Sequence, residues 1–428
     1  MKKILIILMC LPLFGFTQTW EKTFPYLGHS CARAVAQTKD LGYIISGGVG
    51  DSSLLMKTDS LGTEQWSKSF FSANQGFAIG WSIIQTPDGG FVFTGSIDNP
   101  TTTYHDVLLF KTDSIGVEQW AHTFSGGVGG SFGYAVEQTN DGGFIISGRT
   151  YDPSLISCAG QALYLIKTDS MGIEQWSKSY TGTTILGNGE SVSETDDGGY
   201  IVSGSESLIY LLKVDSLGTQ QWFHTFTSLG MTGGGYSVKQ TTDGGYMLVG
   251  QTFISFFSSI SLYLLKTDSQ GFEQWSYTTL ANGDVHGYSA EKTSDGGYIV
   301  TGLAVDSITR RYSLYLTKIN SIGIEQWSKF FVADIDSWGL SVSQTVDDGF
   351  IIAGCSYDNN FTGDIYLIKT DSLGNINVIS SVPIPIPNEK GELQKITNYL
   401  GQETNPVKNT PLLYQYENGT VEKKIIIE

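Results

Sequence analysis

Proline is scarce in this chain, 10 among 428 residues, and methionine scarcer at 6. Cysteine numbers 4, and Cys31, Cys158 and Cys355 lie far apart beyond the first stretch of sequence. So wide and odd a spacing supports neither a disulfide framework nor a zinc knuckle. Basic residues are few, 25 Lys and Arg against 42 Asp and Glu, for a net charge of −17. That sign argues against sequence-independent binding to nucleic acid or to an anionic membrane. Long apolar runs are missing as well: the longest, Ile4 to Phe16, is about 13 residues, short of the roughly 20 that a membrane-spanning helix needs. The histidines His29, His105, His122, His224 and His286 lack metal-ligand spacing, and no nucleophile elbow, Walker loop or dinucleotide fingerprint occurs. No catalytic set, metal or cofactor is expected.

What the chain has in quantity is glycine (52), tyrosine (22) and phenylalanine (22) in a sequence that is 40% hydrophobic. This composition points to short strands joined by tight turns and away from an all-helical fold. At the front, Lys2 and Lys3, the apolar run, and then Gly15, Thr17 and Gln18 have the three-part layout of a secretory signal peptide. Residues 1–18 are therefore expected to be removed, near Thr17/Gln18, and the mature chain to lie outside the cytoplasm with no membrane span. Cys10 does not suit a lipid anchor, because Leu8 and Met9 are not the small residues such a site prefers.

One pattern recurs seven times. A short apolar stretch ends in a turn, as in SIIQTPDGG at Gly90, AVEQTNDGG at Gly143 and SVSETDDGG at Gly199, with variants AVAQTKDLG at Gly42 and SVSQTVDDG at Gly349. A second run ends in glycine, as in FVFTG at Gly95 and FIISG at Gly148. A third reads LLMKTDS at Ser60, YLIKTDS at Ser170 and YLIKTDS at Ser372, and a fourth leads from glycine to Trp66, Trp120, Trp176, Trp222, Trp275 or Trp327. Runs this short, bounded by Asp-Gly and Asp-Ser-x-Gly, are strands closed by hairpin turns. Near-continuous apolar character in the second and third runs means that both sheet faces are covered. Four strands per repeat, at this repeat length, predict an all-β, seven-bladed β-propeller over 19–381. The seventh repeat lacks its tryptophan strand, and Trp20-Glu21-Lys22-Thr23-Phe24 reads like the missing one, so the N-terminal segment is expected to close the ring. Cys31 and Cys355 would then fall in neighbouring blades, where a bridge is open to them; buried free thiols are the alternative. The tryptophans are expected in the core, since each can bury on the order of 200 Å². The Asp-Ser-x-Gly-x-x-x-Trp spacing, Asp59 to Trp66 for example, resembles the tryptophan-docking motif of quinoprotein-type propellers. That resemblance implies docking between blades; the vicinal cysteine pair of those enzymes is missing here, and no quinone is expected.

In such blades the constant turns share one rim, while the connections of varied length, such as Ser96 to Asp106 and Arg149 to Ala162, share the other, where recognition usually resides. The residue opening each first strand should reach the mouth of the central channel: Arg33, Trp81, Tyr134, Glu190, Tyr236, Tyr288 and Leu340. They could stack a ligand or plug the channel. Trp338, His286, Tyr104, His105, Tyr312, Arg310 and Arg311 form a second group nearby.

After Ser381 the composition changes. VPIPIPNEKGE, with alternating prolines, reads as an extended linker over 382–392. Residues 393–428, with Tyr399-Leu400-Gly401-Gln402-Glu403, Thr410-Pro411-Leu412-Leu413-Tyr414 and Gly419-Thr420-Val421-Glu422-Lys423-Lys424, resemble the terminal part of the C-terminal sorting domain of proteins exported by type IX secretion. The resemblance implies the secretion machinery as a partner and the outer surface or surroundings of a Gram-negative bacterium as destination. The leading expectation is a non-enzymatic binding or scaffold propeller for a carbohydrate, peptide or matrix partner. The alternatives are an extracellular lyase or hydrolase using Glu190, Arg33, Tyr134 and His286, and a purely structural envelope protein.

Overall fold

The computed structural model describes residues 18–376 apart from 27, 71–77, 128, 152–159, 182–186, 206–207, 227–232, 255–258, 280–283, 307 and 361, together with 393–398, 402–407, 411–416 and 421–425. Residues 1–17, Cys158 and the expected linker lie outside the described residues. The chain divides into two compact units, Met1–Asn377 and Val378–Glu428.

The first unit is a seven-bladed β-propeller of four-stranded antiparallel sheets. Blade 1 runs Ser30–Gln37, Tyr43–Val49, Ser52–Thr58 and Glu64–Phe70 from the inside outward. The inner strands of blades 2 to 7 are Ala78–Gln85, Gly129–Gln138, Asn188–Glu194, Gly233–Gln240, Val285–Lys292 and Asp336–Gln344. Each inner strand touches the next, and that of blade 7 touches that of blade 1, which closes the ring. Trp20–Phe24 supplies the outer strand of blade 7, pairing antiparallel with Gly363–Thr370 from Trp20 opposite Lys369 to Phe24 opposite Ile365. Cys31 of blade 1 and Cys355 of blade 7 are joined as a disulfide with Cα atoms 4.9 Å apart. Two separate ties thus span the junction where the ring begins and ends.

The apolar core is divided among the blade junctions. At the last junction, Ile351, Ala353, Ile365 and Leu367 of blade 7 pack against Ala32, Tyr43, Ile45, Leu54 and Met56 of blade 1, and the other six junctions hold equivalent clusters. Middle strands are buried on both faces, as in Ser52–Thr58, whereas the outer Glu64–Phe70 is exposed or half-buried. The seven tryptophans are half-buried rather than fully interior. Each lies across the junction: a Cβ placed on Gly62 would fall 2.6 Å from the Trp20 ring, and Gly116, Gly172, Gly218, Gly271, Gly323 and Gly374 stand likewise against Trp66, Trp120, Trp176, Trp222, Trp275 and Trp327. The indole N–H of Trp20 donates to Ser60 O at 3.1 Å, and that of Trp176 to Ser216 O at 3.2 Å. Their role is to clamp each blade to the next, which requires a flat ring with one polar edge at the surface.

The constant turns carry a polar network. The lysine of each third strand, Lys57, Lys111, Lys167, Lys213, Lys266, Lys318 or Lys369, is at most 6% exposed, and its ammonium lies 2.9–3.0 Å from the aspartate of the preceding turn: Asp40, Asp88, Asp141, Asp197, Asp243, Asp295 or Asp347. Each ammonium also donates to a backbone carbonyl, and each aspartate accepts from the threonine two residues before it, Thr86 to Asp88 for example. Partial burial works against the carboxylates' charge, but threonine, lysine and a glycine N–H outweigh it and hold Asp88, Asp141, Asp197 and Asp295 at about 2. The last residue of an inner strand often reaches back to the previous blade: Gln85 Oε1 accepts from Lys39 N at 2.9 Å, Gln240 Oε1 from Asp196 N at 2.8 Å, and Gln344 Oε1 from Ser294 N at 2.7 Å. A buried charge must be paired and hydrogen-bonded to be tolerated, and the repeat satisfies that condition seven times.

The second unit is a three-stranded antiparallel sheet of Leu393–Thr397, Pro411–Tyr416 and Val421–Ile425, with Leu412 and Tyr414 buried against Ile396. Among the described residues no helix is long and apolar enough to cross a membrane.

Candidate functional site

Each inner strand carries, at one equivalent position, a residue that the neighbouring strand does not pair; that of blade 3 has a second, Gly130. In blade 1, Ala32 faces Gly47 and Ala34 faces Ser46, with Arg33 left over. The same one-residue bulge occurs at Trp81, Tyr134, Glu190, Tyr236, Tyr288 and Leu340. A bulge bends its strand and re-aims the extra side chain, and here the seven extra side chains line one central cavity of about 390 Å³. The glycine ending the second repeat phrase makes the bulge possible. It lies within its strand opposite the bulge, and a Cβ there would sit 1.8 Å from a backbone oxygen: Gly95 against Ile79 O, Gly148 against Phe132 O, and Gly302 against His286 O. In blades 2, 4, 6 and 7 the residue after the bulge is a serine that accepts a backbone N–H across the junction. Ser82 Oγ accepts from Val136 N at 3.3 Å, Ser191 Oγ from Val238 N at 3.2 Å, and Ser341 Oγ from Val35 N at 3.2 Å.

All seven channel residues expected from the sequence therefore come together. The Arg33 guanidinium lies 3.9 Å from the centre of the Trp81 ring, and Trp81 meets Tyr134 edge to face at 5.5 Å. Tyr134 stacks on Phe132 at 6.4 Å, and Arg149 covers Phe132 at 4.5 Å. On the far side Tyr236 and Tyr288 make an edge-to-face pair at 5.7 Å. Gln251 donates to the Tyr236 hydroxyl at 3.0 Å, and its Oε1 lies 2.7 Å from His286 Nδ1. Beyond the residues lining the cavity, Trp338 meets Tyr312 at 6.0 Å and Tyr357 at 4.9 Å. Toward the turn rim, Glu137 of blade 3 pairs with Lys239 of blade 5 at 2.7 Å, and Glu137 also accepts from Ser193 and Glu194 of the blade between them.

Glu190 is the one carboxylate among the described residues lining the cavity. Burial pushes its pKa up, opposed by a 2.9 Å hydrogen bond from Asn188 and by the charge of Arg149. Burial likewise raises Tyr134, and raises Tyr236 to about 12, so both hydroxyls keep their protons at neutral pH. It lowers His286, against a smaller opposing effect of Asp284. Arg33 Nε and the indole nitrogens of Trp81 and Trp338 are buried and have no hydrogen-bond partner among the described residues. Aromatic faces, unmatched N–H donors and one acid suit a ligand with apolar ring faces and acceptor oxygens. Glycoside hydrolysis generally uses a pair of carboxyl groups, and a second does not line this cavity among the described residues. No group of three or more His, Cys, Asp or Glu able to hold a metal occurs among the described residues.

The second group of candidates divides. His286 adjoins Tyr288 of the channel and Trp338 packs on Tyr312, none of the three lining the cavity itself, whereas Tyr104 and His105 line a separate cleft between blades 2 and 3. Arg310 and Arg311 stand exposed on the turn after Val305, where Arg310 N donates to Asp306 O and Asp306 N to Arg311 O. Phe132, Asn188, Arg149, Gln251 and Tyr357 are additions that sequence reasoning missed. Arg149 and Gln251 directly follow the second-strand glycine, and Arg149 faces Phe132 in the ladder. Since paired residues share a face, the position after that glycine was the available signal.

No family model matches the sequence, and no curated protein matches it. Among solved structures, similarity is found to a protein of unknown function from Bacteroides caccae, with a TM-score of 0.43, 9% identity, and coverage of 71% of this chain and 94% of that one. Similarity is also found to the "putative exo-beta-1,3-galactanase" of Bifidobacterium bifidum, with a TM-score of 0.33, 13% identity, and coverage of 54% and 85%. At these levels the similarities add nothing to the propeller architecture already described.

Proposed function

We propose that the propeller is a secreted or cell-surface binding module that takes a carbohydrate at the variable-rim mouth of its channel. The observation that carries this reading is the convergence of seven bulged residues on one cavity, where Trp81, Tyr134, Tyr236 and Tyr288 offer ring faces beside Arg33 and Glu190. Sugar rings present C–H faces to aromatic rings and hydroxyl oxygens to N–H donors, and Trp81 Nε1 and Arg33 Nε are donors without protein partners among the described residues. The export part of the proposal is supported by the basic-apolar-polar layout of residues 1–18 and by the sorting-domain resemblance of residues 393–428.

Glycan-array screening followed by calorimetry tests the binding. Trp81→Ala and Tyr236→Ala, both at residues lining the cavity, should each weaken a bound glycan at least tenfold, about 1.4 kcal/mol. Full affinity in both variants would refute the channel as the site. Turnover of a bound glycan, lost in Glu190→Gln, would replace the binding reading with an enzymatic one. Cell fractionation with mass spectrometry of the mature N-terminus tests export, and an intact residue 1 in a cytoplasmic fraction would refute it.

A further inference from the structure

Away from the channel, a second cavity of about 460 Å³ opens between blades 2 and 3. Phe132 lies at its centre, approached by His105 with ring centroids 5.1 Å apart and covered by the Arg149 guanidinium at 4.5 Å. Tyr104 and Tyr151 stand at its edge, 49% and 38% exposed, and Gln161 adds an amide. The charges are asymmetric. His105 Nδ1 lies 2.8 Å from Asp98 Oδ1, so a proton on this imidazole would be compensated. Arg149 has no ion pair within 4 Å among the described residues; its 3.4 Å hydrogen bond to Asn188 Oδ1 is long, and its charge acts on Glu190 from further off. The cleft thus offers one cation without a direct ion pair among the described residues, several aromatic faces and neutral hydrogen-bonding groups.

We propose that this cleft is a second ligand site, for a saccharide bearing a carboxylate, that is, a uronic acid residue. The planar guanidinium matches a carboxylate through two parallel N–H bonds, while Tyr104 and Tyr151 present faces to the sugar ring. A single local cation on a chain of net charge −17 suits an isolated carboxylate; a dense polyanion would meet long-range repulsion from the rest of the protein. Arg149 also lies 5.9 Å from the Tyr134 ring, so it stands in the wall between cleft and channel. The assignment rests on the cleft's own chemistry, and loss of neutral-glycan binding in Trp81→Ala reports on the channel alone.

Calorimetry on the full chain provides the test, using the methyl glycosides of galacturonate, glucuronate and mannuronate, each with a single carboxylate, and the methyl esters of each. At least one acid should bind, and its ester at least tenfold more weakly. Arg149→Gln should abolish that acid-over-ester preference, with Arg149→Lys restoring part of it. Tyr104→Ala, at a half-exposed loop position that leaves the sheet intact, should weaken acid and ester alike. Failure of all three acids to bind, equal binding of acid and ester, or an undiminished preference in Arg149→Gln would overturn the site.

Discussion

The two rims of this propeller are made from the same repeats, yet they obey different rules. On the turn rim, seven aspartates hold seven buried lysines, and residue identity scarcely varies around the ring. On the variable rim, blade 1 turns through Gly50 and Asp51, whereas blade 2 uses Asn99 to Tyr104 and blade 6 a turn around Asp306 to Arg311. The difference follows from what each rim must satisfy. Buried charge permits few solutions, whereas an exposed loop over a finished sheet permits many. Uniformity marks where the fold is held, and variation marks where a ligand can be chosen.

The comparison can be broken by experiment, starting with the junction that both rims share. Deleting residues 18–26 removes the outer strand of blade 7 and the Trp20 clamp, and should lower unfolding stability by roughly 5 kcal/mol from the lost aromatic burial alone. Chemical denaturation reads this, and an unchanged midpoint would mean that the ring does not depend on its N-terminal latch. Next, Gly302→Ala should cost about 3 kcal/mol or more, because its Cβ would meet His286 O at 1.8 Å. Gly50→Asn on the variable rim, with φ of 56° and open space around it, should cost less than about 1 kcal/mol by the same measurement. Equal costs would remove the distinction between interior and rim glycines.

A third pair sets one aspartate against another. Asp197→Ala leaves the Lys213 ammonium, 3% exposed, without its carboxylate and should destabilise by about 3 kcal/mol. Asp306→Ala loses two backbone N–H partners, Ile308 and Thr309, at an exposed turn and should lower the midpoint by much less than Asp197→Ala does. The smallest effect is acid sensitivity. Asp88, Asp141, Asp197, Asp243 and Asp295 titrate near 2 when folded, against about 3.9 in an unfolded chain. A depressed carboxyl stabilises the fold above the unfolded value and loses that contribution as pH falls through the folded one. Thermal midpoints should therefore hold down to about pH 4 and decline toward pH 2, less steeply in high salt because these aspartates are more than half exposed. Midpoints independent of pH across that window would count against the network.

Much of the ring was legible in the repeat. Trp20 matched Trp66 and Trp176, and that match, with the missing tryptophan strand of the seventh repeat, placed the N-terminal strand in the last blade. The seven channel residues were expected to open their strands, but each lies two to five residues inside, as a bulge, and a bulge is a relation between two strands that one repeat does not display. Gly95 and Gly148 looked like strand ends; in the structure they lie within strands that continue to Asp98 and Tyr151. Lys57 and its equivalents passed as ordinary residues of a third phrase, although a charge recurring in an otherwise apolar strand was a sign that a partner must be buried with it. Tyr104 and His105 were grouped with the channel because loop residues carry no indication of which side of a blade they will cover.

By itself, the order of residues determined the number of blades, the closing strand and the division between constant and varied rims, since these follow from local pattern repeated at a regular spacing. Only the tertiary structure decided that Arg33 covers Trp81, that Arg149 serves Phe132, and that a separate cleft opens beside Tyr104. Those contacts join residues of different strands or blades, and their geometry depends on how the bulged strands aim their side chains once the ring has closed.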